Sequence, residues 1–452
     1  MTPGGRIQSA IELLAAVLGS SRPADGVAAA FFRERRYIGA KDRRSVADRV
    51  WLILRRRARL GWWVSHAIAR AKGRRRGGVS VSDSPGARLE EARRLVLADL
   101  VLSQNMPEAR LDALSGDLHG PPGLNQDERD MLSAMVRQPL EHSAMPAWVR
   151  SEVPEWLEPI LGLRFGPDLV PELTALNVEA PLDLRVNILK ATREEAIARL
   201  AAEEITATPT PLSPLGLRLG SRINLGASPT FREGLVEVQD EGSQLVALLC
   251  DARPGHSVVD YCAGAGGKTL ALAAAMANRG RLVACDVSAG RVDRAAVRLK
   301  RAGVHNVTRR VLEGETDRWL RRSEGGYDRV LVDAPCSGTG TWRRNPDAKW
   351  RLTADDIAEL VVLQRRVLKA AATLVRPGGR LIYATCSLLP EENEAQITHF
   401  LEVVPGYTML PPARIWAEAV GTPYPFGDVS TLSLTPHTTG TDGYFLSILE
   451  RR

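Results

Sequence analysis

From residue 5 to about residue 70 apolar side chains recur three and four positions apart, as in Ile7, Ile11, Leu14 and Leu18 and again in Val46, Val50, Ile53 and Leu54. That spacing lines one face of a helix, and no alternating run interrupts it. A Gly/Ser-rich break at 77–86 precedes another helical run at 89–102, and the stretch 119–124 (HGPPGL) breaks the chain again. An all-α domain is therefore expected over 1–137. From Pro146 to about Leu235 the pattern is mixed: 184–189 (LRVNIL) reads as a strand, and Thr192 opens a helix with Glu195 completing a capping box. A small α+β connecting domain is predicted over 138–235.

After Gln239 the pattern changes to short β-rich runs at 258–261, 282–286, 307–312, 329–333 and 381–385, separated by helical stretches such as 292–301 and 357–374. Strand, loop and helix in alternation predict a mostly parallel, doubly wound α/β sheet over 236–452. No internal repeat is visible.

Composition narrows the class. With 452 residues, 44 % of them hydrophobic, the chain has room for about three domains with real cores. The longest uninterrupted apolar run, at 270–277, is far short of a bilayer span, and Glu12 interrupts the first apolar stretch, so a soluble, cytoplasmic protein is expected. Five cysteines, odd in number and without a C-x-x-C pair, speak against disulfide staples and a zinc site. The formal charge of +7 is unevenly spread. Between Arg33 and Arg76 there are 16 Lys or Arg against three acids, so the rest of the chain is net negative. Most charge runs are solvated faces, but a helical domain with about three times the basic density of the remainder points to nucleic acid. Arg55, Arg56 and Arg57 are its candidate phosphate contacts.

The first strand of the α/β sheet runs into Cys262-Ala263-Gly264-Ala265-Gly266-Gly267-Lys268-Thr269 at a helix start, where small residues let backbone approach a ligand. A P-loop would need glycine at Cys262, and a nicotinamide fingerprint fails at Thr269. The loop alone does not decide, and an RNA-dependent NTPase stays open as the second reading. The next strand ends at Asp286, where such sheets offer a carboxylate to ribose hydroxyls, although Asp286 could instead cap the following helix. Glu313 and Asp333, past the third and at the end of the fourth strand, add acids to the same crevice and favour a cationic, adenosine-bearing ligand over a triphosphate.

The fourth strand ends in Asp333-Ala334-Pro335-Cys336-Ser337-Gly338-Thr339-Gly340, and the fifth in Ala384-Thr385-Cys386-Ser387 before Leu388-Leu389-Pro390-Glu391-Glu392-Asn393. If those strands are neighbours, Cys336 and Cys386 share one crevice although 50 residues separate them. Cys250, Cys262 and Cys285 read as buried filler. A thiolate that adds to carbon 6 of a pyrimidine makes carbon 5 nucleophilic towards a methyl group, and a second group must then help remove the carbon 5 proton. Two cysteines could share those jobs.

These blocks, together with 238–243 (VQDEGS), resemble the Nop/Sun family of RNA cytosine-5 methyltransferases, most closely its bacterial small-subunit ribosomal RNA methyltransferase B (Sun) group. The likeness covers 180–452, and the helical N-terminal part is similar to that group's NusB-like RNA-binding module. The resemblance implies a Rossmann-like class I methyltransferase domain that uses S-adenosylmethionine, with Cys386 as nucleophile, Cys336 as the releasing thiol and Asp333 at the cytosine edge and the cofactor. It further implies Cys262, Ala263, Gly264, Ala265, Gly266, Gly267 and Lys268 as the cofactor loop, Asp286 as ribose ligand and Glu313 on the adenine side. Ala265 stands where the family carries proline, and Glu313 near a usual aspartate. Small-subunit ribosomal RNA is the implied partner, with transfer RNA a further possibility; no obligate protein partner and no metal are expected. A non-catalytic RNA-binding assembly factor remains the third reading.

Overall fold

The protein is described by a computed structural model over residues 1–71, 84–220 and 223–452. It divides into two compact units, Met1–Val178 with Arg344–Arg351, and Glu179–Arg343 with Leu352–Arg452.

The first unit is helical. Thr2 caps the helix Pro3–Leu18 by accepting from Gly5 N, Pro3 starts it, and Ile7, Ile11, Leu14 and Val17 are buried, as the spacing requires. Helices Ala24–Glu34, Ala40–Arg55, Arg57–Ala71 and Pro85–Leu102 follow. Val46, Val50, Ile53 and Leu54 face the same core as the first helix. Of the break expected at 77–86, residues up to 83 lie outside the described residues, as do Lys72, Arg74, Arg75 and Arg76; Ser84 already caps Pro85–Leu102. The helical unit continues past residue 137 through Ala147–Arg150, Glu158–Phe165 and Leu169–Asn177. Residues Arg344–Arg351 also belong to it: Trp350 Nε1 donates to Leu54 O at 3.2 Å, and Lys349 Nζ to Asn177 Oδ1 at 3.1 Å.

The second unit holds two sheets. Strands β1 (Leu182–Val186), β2 (Ala207–Pro209), β3 (Gly216–Leu219) and β4 (Val236–Val238) form an antiparallel sheet in the order β2-β3-β1-β4. The Thr192–Glu195 capping box starts helix Arg193–Ala202, whose Ala196 and Leu200 join Leu184, Val186 and Leu217 in its core. The larger sheet comprises β5 (Ser257–Asp260), β6 (Arg281–Asp286), β7 (Val307–Val311), β8 (Tyr327–Asp333), β9 (Val375–Thr385), β10 (Tyr407–Met409), β11 (Leu432–Leu434) and β12 (Tyr444–Arg451). Its order is β10-β12-β9-β8-β5-β6-β7, with β11 on β12; β5 to β9 pair in parallel, while β12 runs antiparallel to β9, β10 and β11. The five expected strands are all present, but the sheet is mixed rather than simply doubly wound, because β12 inserts beside β9. Strand order reverses at β5, between β6 and β8, the point at whose carboxyl ends sheets of this kind form a ligand crevice.

Candidate active site

The loop from Tyr261 to Gly266 joins β5 to helix Gly267–Ala275 across that crevice. Gly264 and Gly266 have φ of +56° and +81°, a region that disfavours side chains. A Cβ at Gly264 would meet nothing within 4 Å, so the backbone faces open space, whereas one at Gly266 would lie 3.1 Å from Ala295 Cβ. Ala263 N donates to Cys285 O at 2.8 Å and fixes the loop against β6.

Asp286 ends β6 and is buried; its Oδ2 accepts from Gly264 N at 2.9 Å and its Oδ1 from Ser288 N at 2.8 Å. It does not cap the next helix, whose N-cap position is Ser288. Each carboxylate oxygen keeps a second lone pair, which is what a ribose diol requires. The open, glycine-lined backbone and the fixed Asp286 fit an adenosine-bearing cofactor such as the S-adenosylmethionine expected from the sequence. Glu313, just past β7, is exposed, and its backbone N–H donates to Asp317 Oδ2 at 3.0 Å. Asp317, absent from the sequence reading, is the acid fixed by the loop there.

Lys268 Nζ lies 2.6 Å from Asp333 Oδ2. Burial alone would lower the Lys268 pKa, yet Asp333 holds it above the ordinary lysine value. An ammonium already paired to a carboxylate is poorly placed to cradle phosphates, and the NTPase reading is not favoured. Asp333 is the last residue of β8 and Thr385 the last of β9, and these strands are parallel neighbours with Asp333 opposite Ala384. The two cysteines that follow therefore meet: Cys336 Sγ and Cys386 Sγ are 3.4 Å apart. Contact with Cys386 and burial both push the Cys336 thiol well up. Cys250 and Cys285 are buried away, their thiols also raised by burial. Among the described residues no group of His, Cys, Asp and Glu could hold a metal ion.

Glu392 carries no role in the sequence reading, yet its carboxylate is fully buried between the two cysteine loops. In a Pro-Glu-Glu-Asn stretch an acid reads as surface, and only tertiary packing reveals it.

In the helical unit the arginine triplet is not a free basic face. Arg55 is buried, its Nη1 donating to Asn177 O at 3.5 Å. Arg56 Nη1 pairs with the buried Asp99 at 3.3 Å, and Arg57 lies by Glu91 and the Trp350 ring. The exposed cations of the basic segment include Arg33, Arg36, Lys41 and Arg44 instead. No described helix is long and apolar enough to cross a membrane.

Residues 247–450 match the family model described as 16S rRNA methyltransferase RsmB/F, and residues 153–225 match the ferredoxin-like domain of RsmF/B-like methyltransferases. The probable ribosomal RNA small subunit methyltransferase B of Synechocystis is 37 % identical over 301 residues, 66 % of this chain and 66 % of its own length. Ribosomal RNA small subunit methyltransferase B of Sodalis glossinidius is 40 % identical over 254 residues, 56 % of this chain and 58 % of its own. A solved methyltransferase homologue from Pyrococcus horikoshii is 27 % identical, with a TM-score of 0.58 over 68 % of this chain and 97 % of its own. These matches fall on the two sheets and the crevice just described, and the chain belongs to the RsmB/F family of methyltransferases.

Proposed function

We propose that the protein is an RNA cytosine-5 methyltransferase acting on small-subunit ribosomal RNA in the cytoplasm. The observation that carries this is the pair of thiols 3.4 Å apart beside the Lys268–Asp333 ion pair, at the mouth of the glycine loop. In this reading the target cytosine is unstacked into the crevice and Cys386 adds to its carbon 6. Asp333 accepts from the cytosine amino edge, and Lys268 holds that carboxylate in place. When bound, S-adenosylmethionine supplies an electrophilic methyl group to the activated carbon 5. The carbon 5 proton then leaves, the Cys386–carbon 6 bond breaks, and Cys336 assists that release.

The whole chain's substrate rests on relatives of which this chain spans about two thirds. Residues 1–137 are proposed as a NusB-like RNA-binding module and 138–235 as a connecting, RNA-contacting domain, with catalysis in 236–452. Supporting this are the helical fold of the first part and its concentrated basicity. With Cys336→Ala, a covalent protein–RNA adduct resistant to denaturing gel electrophoresis is expected to accumulate, and Cys386→Ala should abolish it. An adduct that still forms in Cys386→Ala would overturn the assignment.

A further inference from the structure

The ladder between β8 and β9 ends at Asp333 and Ala384, so it does not by itself fix the loops that carry the cysteines. Beyond it the chain diverges into two turns. Gly340 N donates to Cys386 O at 2.9 Å and Leu388 N to Thr339 Oγ1 at 2.7 Å, and Glu392 adds a bracket of its own at the residues that follow the two thiols. Its Oε1 accepts from Ser337 N and from Gln364 Nε2, each at 2.9 Å, and its Oε2 accepts from the hydroxyls of Ser337 and Ser387. Ser337 follows Cys336 and Ser387 follows Cys386, so one carboxylate grips the residue next to each thiol. Gln364 also donates to Pro335 O at 2.9 Å, on the other side of Cys336. Glu392, Gln364, Ser387 and Thr339 are all buried to within 1 % exposure.

All four donors to Glu392 are uncharged groups. A buried carboxylate without a cation is costly, and it is tolerable here because every donor is aimed at it. Apolar residues of similar shape would close the same space more cheaply, so ordinary packing does not account for this arrangement. The carboxylate does what packing cannot: it sets direction and distance at two loops at once.

We propose that Glu392 is the positioning residue that brackets the two cysteine loops and holds Cys336 and Cys386 at their working separation. It touches neither substrate nor cofactor. The cofactor loop and Asp286 have no hydrogen bond to the bracket, so cofactor affinity should be independent of it. This inference rests on the two-thiol reading for its catalytic consequence, but the separation of the thiols can be tested without turnover.

Phenylarsine oxide bridges two nearby thiols through arsenic and releases water. Full-length wild-type protein should be captured rapidly at one equivalent, and Cys336→Ser should abolish capture. Glu392→Ala should slow capture at least tenfold while S-adenosylmethionine affinity, measured by calorimetry, stays within about twofold. Glu392→Gln, in which the serine hydroxyls can turn to accept, should recover most of the rate. If Glu392→Ala does not fold, the double variant Ser337→Ala/Ser387→Ala cuts the same bracket and should show the same slowing. In turnover, kcat should fall at least thirtyfold with little change in KM, and the covalent RNA adduct should build up. Capture as fast as wild type in the bracket variants would overturn the inference, as would a parallel loss of cofactor affinity. A protein that shows the arsenical pattern but methylates no RNA would contradict the proposed function and leave the bracket standing.

Discussion

Asp260, the last residue of β5, is buried beneath the cofactor loop with Thr269 Oγ1 donating to it at 2.6 Å. Burial pushes its pKa up to about 7, against the pull of the Thr269 hydrogen bond. The unfolded chain gives up this proton near pH 4, so between about pH 4 and 7 the folded protein binds the extra proton and loses stability as pH rises. The full effect is on the order of a few kcal/mol above pH 7. Wild-type melting temperature should fall between pH 5 and 8, and Asp260→Asn should flatten that slope and melt higher at pH 8. Equal pH profiles would show that Asp260 is ionised in the fold. At this scale the sequence was most informative where chemistry is local: Cys336, Cys386, Asp333 and Asp286 stand at strand ends whose positions the β-pattern gives. Lys268 was legible as a site residue but not as the partner of Asp333, and Glu392 was not legible, because a carboxylate's burial depends on donors 28 and 55 residues away.

The helix Ala40–Arg55 separates two kinds of arginine. Lys41 and Arg44 are exposed and, with Ser45, Arg49 and Gln104, line a groove of about 350 Å³, while Arg55 is sealed into the core. Helical spacing alone marks the whole segment as basic, and the interactions with Asp99, Glu91 and Asn177 decide which charges are spent inside the fold. Replacing Lys41 and Arg44 by Gln should weaken RNA binding and flatten its salt dependence, by about 0.7 to 0.9 in log–log slope for each phosphate no longer neutralised. Melting temperature should hardly change. Arg55→Ala should instead destabilise the helical unit by about 1–3 kcal/mol, since it removes a buried side chain and its hydrogen bond to Asn177 O. Loss of RNA affinity only in the folded Arg55 variant would reverse this assignment. Among the strands, β5 to β9 were legible because each is a short β-rich run between helices. β12 was not, since its antiparallel place beside β9 is set by pairing with residues sixty or more positions earlier in the chain.

At the scale of the whole chain, the division into a helical part and an α/β part was legible from the change of period, but not the return of Arg344–Arg351 to the helical unit. Those eight residues follow the Cys336 loop in sequence, and nothing in their own pattern marks Lys349 and Trp350 as core of a unit begun three hundred residues earlier. Buried there, Lys349 is held down to about 8, with Glu152 opposing that shift. The central claim, that this crevice methylates carbon 5 of a cytosine in small-subunit RNA through Cys386, is tested most directly by bisulfite mapping. Unmodified small-subunit ribosomal RNA, free and in partly assembled particles, is incubated with S-adenosylmethionine and either wild-type protein or Cys386→Ala. One cytosine should become protected with wild type and stay unprotected with the variant. Protection that persists with Cys386→Ala, or none with either protein on any form of that RNA, would contradict it.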